Sequence, residues 1–208
     1  MKIQEVKNLI IDFGGVLIDL DRSRCVEEFK KLGLEDIEKC IGDFGQKGLF
    51  QDLEKGEITA AQFRDAIRGE IGSAVTDEQI DAAWNSFLVS IPTYKLDLLL
   101  RLREKYVVYL LSNTNSIHWD WACEHAFPWR AFRVKDYFEK IYLSYEMKMI
   151  KPDAEIFNAV LEDAGIEAGE TLFIDDSPAN CHTAEQLGIY TYTPQAKENW
   201  SSIFDPQK

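Results

Sequence analysis

Three short apolar runs constrain this chain more than anything else in it, because each one stops abruptly at acidic or hydroxyl side chains. Asn8-Leu9-Ile10-Ile11 ends at Asp12, with Gly14-Gly15 just beyond. Val107-Val108-Tyr109-Leu110-Leu111 ends at Ser112-Asn113, and Thr171-Leu172-Phe173-Ile174 ends at Asp175-Asp176. A strand without polar alternation is covered on both faces, as in a parallel sheet held between two helical layers. Ile141-Tyr142-Leu143-Ser144 and Ile189-Tyr190-Thr191-Tyr192 are weaker strand candidates. Helical patterns separate the runs, so the expected fold class is α/β, doubly wound and mostly parallel. In such sheets ligands bind beyond the carboxyl ends of the strands, where these polar tips gather.

Residues 20–90 follow a different grammar. They carry helical periodicity, no good strand pattern, and two capping boxes, Thr59-x-x-Gln62 and Thr76-x-x-Gln79. A stretch of about 70 residues is too long for a simple crossover, so it reads as a helical cap inserted into the sheet domain. The expected division is a Rossmann-like core from residues 1–19 and 91–208, with the cap at 20–90. A helix from about Pro92 to Lys105 returns the chain to the sheet, with Pro suited to its first turn.

Composition narrows the function classes. The 208 residues hold 23 Lys and Arg against 36 Asp and Glu, a formal net charge of −13. Nucleic acid and anionic membrane surfaces reward clustered positive charge, so neither is an expected partner. The four cysteines, Cys25, Cys40, Cys123 and Cys181, form no C-x-x-C pair and resemble reduced thiols. The apolar stretch from Leu9 to Leu20 is broken by Asp12, Gly14, Gly15 and Asp19 and is too short to span a bilayer. A cytoplasmic protein, monomeric or weakly dimeric, is the expectation.

Each polar strand tip has an ordinary explanation taken alone. Asp12 before glycines is common turn chemistry. Ser112-Asn113-Thr114-Asn115 is either a polar loop or an anion-binding nest of hydroxyl and backbone N–H groups. Lys151 in Lys151-Pro152-Asp153, where Pro152 is expected to open a helix running to about Asp163, is by itself a solvated lysine. Asp175-Asp176 is more demanding. Adjacent carboxylates repel, and a hard cation such as Mg2+ relieves them, unless one Asp merely caps the next helix.

In this order, at positions 12, 112, 151 and 175, the four motifs together resemble those of the haloacid dehalogenase-like superfamily, and the resemblance covers essentially the whole chain. Leu-Ser-Asn-Thr-Asn and Lys-Pro-Asp-Ala-Glu-Ile-Phe are similar to the bacterial branch containing glucose-1-phosphate phosphatases. The resemblance implies that Asp12 is a nucleophile forming an aspartyl-phosphate. It implies that Phe13, Ser112, Asn113 and Lys151 hold the substrate, with Ser112 and Lys151 also serving catalysis. It further implies Mg2+ held by Asp12, the carbonyl of Gly14 and Asp176, with Asp175 a ligand through water or a partner behind the others. The expected activity is Mg-dependent phosphomonoester hydrolysis of small phosphorylated metabolites, sugar phosphates such as glucose 1-phosphate among them.

One position departs from the pattern. Most phosphatases of this superfamily carry a second Asp, two residues after the nucleophile, as general acid and base. Here that position is Gly14. Such help is worth about 10²–10⁴ in rate. Three explanations are open: an easy leaving group, such as an anomeric hydroxyl or acyl phosphate; another proton donor, with Asp19 and Asp21 nearby in sequence; or a true 2-haloacid dehalogenase. The Asp pair argues against the last, since it has a use only with a cation. A non-catalytic phosphometabolite-binding protein on the same fold is a further alternative.

Other residues read as structural. His118, His125 and His182 lack metal-ligand spacing. Cys123 and Cys181 read as buried apolar residues. Trp119, Trp121, Phe127, Trp129 and Phe132 are expected to be core or a surface patch sooner than an entrance wall. In the cap, the segment from Phe44 to Glu57 includes Gln46 and Lys47, which are candidates for substrate hydroxyls if that loop reaches the site.

Overall fold

The structure is a computed structural model that describes residues 5–42, 45–72 and 75–204. Five strands, β1 (Asn8–Ile11), β2 (Val107–Ser112), β3 (Lys140–Leu143), β4 (Thr171–Ile174) and β5 (Tyr190–Tyr192), form one sheet in the order β3-β2-β1-β4-β5. Every pairing is parallel, so the sheet is wholly and not just mostly so. The unbroken apolar runs explain this arrangement. Leu9, Ile11, Leu110 and Ile174 enter the apolar cluster on one face, while Ile10, Tyr109, Leu111 and Phe173 enter that on the other. Period-2 side chains therefore feed two cores at once.

Between β1 and β2 lie α1 (Arg22–Leu32), α2 (Leu49–Glu54), α3 (Ala60–Ile71), α4 (Asp77–Asn85) and α5 (Thr93–Leu102). Both expected capping boxes form, starting α3 at Thr59 and α4 at Thr76. An aromatic cluster of Phe29, Phe50, Phe63 and Trp84 locks α1 to α4 together and continues into the core beneath the sheet. Pro92 occupies the N-cap of α5 and not its first turn, because its ψ of 128° is extended. After β2 come α6 (Ser116–His125) and α7 (Val134–Tyr137), and after β3 come α8 (Ser144–Met147) and α9 (Ala154–Ala164). Pro152 does not open α9 as expected. It sits in a cis peptide with Lys151, and the helix starts two residues later, with Asp153 at its N-cap. Finally α10 (Pro178–Gln186) has Pro178 at its start and Ser177, not an aspartate, at its N-cap. Helices α9 and α10 cover one face of the sheet, through Ile156, Phe157, Val160, Cys181 and Ala184. Among the described residues no helix is long and apolar enough to cross a membrane.

Candidate active site

The register of β1 against β2 and β4 brings the three polar tips side by side. Ile11 pairs with Leu110 and Ile174, which sets Asp12 level with Leu111 and Asp175 and leaves Ser112 one residue further along β2 at the same edge. Asp12 stays tied to the sheet through its N–H, which donates to the Ile174 carbonyl at 2.9 Å. Lys151 arrives from the loop after α8 with its side chain 1% exposed. Its Nζ donates to Asp12 Oδ1 at 2.8 Å, to Asp175 Oδ2 at 2.6 Å and to the Leu111 carbonyl at 3.1 Å. A buried ammonium is tolerable only with such full pairing.

Asn113 explains how that lysine is held. Its side chain accepts from the Lys151 N–H and donates to the Lys151 carbonyl, both at 2.9 Å. This amide clasp commits one donor and one acceptor of the Asn113 side chain to the Lys151 backbone. Ser112 is buried at the same strand end and lines the cleft. Phe13 also borders the cleft, but its ring packs on Trp119 and Phe127 at 5.8 and 5.5 Å.

Asp175 and Asp176 divide their labour. Asp175 is fully buried, and both its oxygens already accept hydrogen bonds, from Lys151, the Ser177 N–H and Asn180 Nδ2. Asp176 borders the open cleft instead. Carboxylate oxygens of Asp12, Asp175 and Asp176 lie within 4.8 Å of one another. Three hard oxygen donors so close, with a single lysine among them, suit Mg2+ and suit no soft metal. Gly15 makes room for this cluster. Its φ is +71°, and a Cβ there would sit 1.9 Å from Asp176 Oδ2.

Electrostatics agree with a site that needs more positive charge. Burial pushes Asp12 up to about 8 despite Lys151, with Asp175 and Asp176 adding to the rise. Burial and then Asp175 push Asp176 up to about 6. For Lys151, burial works against the charge, but Asp12 and Asp175 more than offset it and the net shift is upward. A divalent cation at this point reverses the carboxylate shifts.

The cleft also takes residues from the segment between β1 and β2: Leu20, Gly45, Gln46, Glu54, Phe87 and Leu88. Gln46 is buried, with its Oε1 accepting from the Gly42 N–H at 3.2 Å. Lys47 is exposed and does not line the cleft, and Phe44 lies outside the described residues. Asp21 caps α1 and Asp19 lies 3.9 Å from Lys95 Nζ; neither reaches the cleft, so neither replaces the acid missing at Gly14. Trp119 and Phe127 are core, Trp129 donates to Asp97, and Phe132 is exposed.

Four features escaped the sequence. The Asn113 clasp and Ser144, whose Oγ accepts from the Thr114 N–H at 2.9 Å, are contacts between segments distant in the chain. Lys95 is buried and donates to the carbonyls of Val16 and Leu17, tethering the loop after Asp12. Glu54 is 5% exposed, and burial pushes it up to about 8, with Asp12 adding to the rise. A helix-terminal glutamate looks like any solvated one in sequence, so no local pattern marks it.

With fold and site in view, the class follows: the chain belongs to the haloacid dehalogenase-like hydrolases, whose family model matches residues 6–188. Within that family it is a phosphatase with magnesium as its cofactor. It is 40% identical over 195 residues to a D-ribitol-5-phosphate phosphatase of Bacteroides thetaiotaomicron, covering 94% of this chain and 95% of that one. It is also similar to the solved BT-2542 enzyme from the same organism, in complex with magnesium and inorganic phosphate. That likeness stands at 66% identity and a TM-score of 0.91, over 96% of this chain and 99% of that one. The L-2-haloacid dehalogenase PA0810, at 18% identity and a TM-score of 0.61, shares the fold alone.

Proposed function

We propose that this phosphatase hydrolyses the terminal phosphomonoester of a small polyhydroxylated metabolite, a sugar or sugar alcohol phosphate, with Asp12 as the nucleophile. The observation that carries the reading is Lys151 Nζ held between Asp12 and Asp175, with Ser112 and Asp176 bordering the same cleft. The ammonium fixes the Asp12 carboxylate and supplies one positive charge for the phosphoryl oxygens. Ser112 and the Asn113 main chain donate to those oxygens, while Asp175 holds Lys151 in place. Asp12 attacks phosphorus, the ester bond to the alcohol breaks, and water then releases phosphate from the aspartyl-phosphate. Mg2+, when bound by Asp12, Asp176 and the Gly14 carbonyl with Asp175 behind them, offsets the repulsion between carboxylate and phosphate. Asp12 against one phosphate charge at about 4 Å otherwise costs about 4 kcal/mol at an effective dielectric of 20.

The segment 20–90 acts in this reading as the cap that closes the cleft, and its Gln46 faces the substrate's hydroxyls. The glycine at position 14 favours glucose 1-phosphate, with its easier leaving group. The relative named for D-ribitol 5-phosphate favours an ordinary alcohol ester. Phosphate release from D-ribitol 5-phosphate, glucose 6-phosphate, glucose 1-phosphate and acetyl phosphate, with and without Mg2+, separates these. The expected result is turnover that needs Mg2+ and drops at least about 10³-fold in Asp12→Asn. Turnover on none of the panel, or turnover indifferent to Asp12→Asn, overturns the reading. Comparable rates on the two glucose phosphates remove the case for an easy leaving group.

A further inference from the structure

Glu54 is the last residue of α2, buried at the boundary between that helix and the sheet's carboxyl edge. Its carboxyl takes part in no hydrogen bond or ion pair among the described residues, although it lines the cleft with Asp12, Gly14, Ser112 and Lys151. The charges it feels are those of Asp12 and Lys151. Its carboxyl oxygens are not sealed from solvent but open on the cleft, where a ligand can meet them.

The backbone around Glu54 is pinned to the core. Ser144 Oγ donates to the Glu54 carbonyl at 2.6 Å, and accepts from Thr114 in the loop that follows Ser112. One residue pair further on, Lys148 Nζ donates to the Gly56 carbonyl. Gly56 has a φ of +64°, and a Cβ there would lie 2.2 Å from the Tyr145 carbonyl. The end of α2 is therefore clamped on α8 by contacts that leave the Glu54 side chain free to face the cleft. Asp19 and Asp21, the other carboxylates considered for the task, do not line it.

We infer that Glu54, reaching in from α2, is the general acid and base that takes the place of the aspartate absent at Gly14. The inference rests on the phosphatase reading above. In the first step Asp12 Oδ attacks phosphorus, the bond from phosphorus to the ester oxygen breaks, and Glu54 gives its proton to that oxygen, releasing the alcohol. In the second, the Glu54 carboxylate takes a proton from water. The water oxygen attacks phosphorus, the bond to Asp12 breaks, and inorganic phosphate leaves with both carboxyl groups restored.

The test is Glu54→Gln, compared with wild type on D-ribitol 5-phosphate and on 4-nitrophenyl phosphate, whose leaving group needs no proton. The variant is expected to lose about 10²–10⁴-fold on the alcohol ester. On 4-nitrophenyl phosphate it is expected to give a burst of one equivalent of nitrophenol followed by slow turnover. The phosphorylated chain should then appear in the intact mass, a signature that a purely structural role does not produce. Introducing Gly14→Asp into the variant is expected to restore alcohol-ester turnover at least tenfold. A Cβ at position 14 meets only the end of the Leu20 side chain, at 3.3 Å.

A variant within threefold of wild type on the alcohol ester, or equal losses on both substrates with no phosphorylated chain, overturns the proposal. Wild type supplies a check independent of how the variant folds. A steep fall of kcat/KM with leaving-group basicity means that no acid is acting and also overturns it. Wild type inactive on every ester with Mg2+ defeats instead the phosphatase reading on which the proposal stands.

Discussion

His118 shows how one buried side chain sets a pH limit. Its Nε2 lies 3.0 Å from the Trp84 carbonyl and its ring stacks on Trp84 with centroids 4.1 Å apart. Burial pulls its pKa from 6.5 down to about 4. Between those values the unfolded chain binds a proton that the folded chain does not, so stability present above pH 6.5 is lost as pH falls. The expected loss from this residue is about 2 kcal/mol at pH 5 relative to pH 7. Thermal melts should show His118→Gln, which keeps a donor for the carbonyl, with a flatter profile between pH 7 and 5. An unchanged profile refutes the assignment. Gly15 is a second residue-scale device. Gly15→Ala places a methyl against Asp176 and forces a positive φ, costing about 1–3 kcal/mol. Magnesium affinity measured by calorimetry should fall about 10–100-fold, as for a ligand displaced from its geometry. Affinity equal to wild type contradicts a role for Asp176 in holding the ion.

Among the elements, the loop from Asp12 to Leu20 depends on support from distant chain. Lys95 on α5 donates to Val16 O at 2.7 Å and Leu17 O at 3.3 Å, while Trp200 Nε1 donates to Val16 O from the C-terminal turn at 3.3 Å. Lys95 is 1% exposed, and burial lowers its pKa against the opposing pull of Asp19, 3.9 Å away, while the two carbonyls take its donors. Lys95→Met keeps the apolar length and removes the donor. It should destabilise by about 1–3 kcal/mol in denaturant melts, since a buried carbonyl loses its partner. Activity should fall as well if the loop positions Asp12. A variant as stable and active as wild type shows that the tether is dispensable. The elements also show which sequence patterns carry weight. Both capping boxes formed where Thr59 and Thr76 placed them, because their hydrogen bonds close within four residues. Helices α5 and α9 start one and two residues beyond their prolines, because proline fixes its own φ but leaves ψ to the surroundings.

For the whole molecule, ligand and fold are coupled. The cluster of Asp12, Asp175 and Asp176 concentrates negative charge in a chain already at −13, so binding Mg2+ should raise stability as well as activity. At a concentration about a hundredfold above its Kd the gain is about 2.7 kcal/mol. Wild type should melt at higher temperature with Mg2+ and phosphate than in chelator, and Asp176→Asn should show no such rise. Equal rises in both chains refute the metal assignment.

The sheet was legible in the sequence because burial on both faces needs only local apolar runs, and their order along the chain fixed that the polar tips share one edge. Asp12, Ser112 and the Asp pair stood out because each follows directly on an apolar run, and Lys151 stood out only through its order among them. What Asn113 clasps, what Lys95 tethers and what Glu54 faces were decided only by tertiary structure. An amide, a lysine and a helix-terminal glutamate carry no local mark of burial. The Asn113 and Lys95 side chains meet partners 38 and 79 positions away, and the Glu54 main chain is held by Ser144, 90 positions away, all through the packing of helices on the sheet.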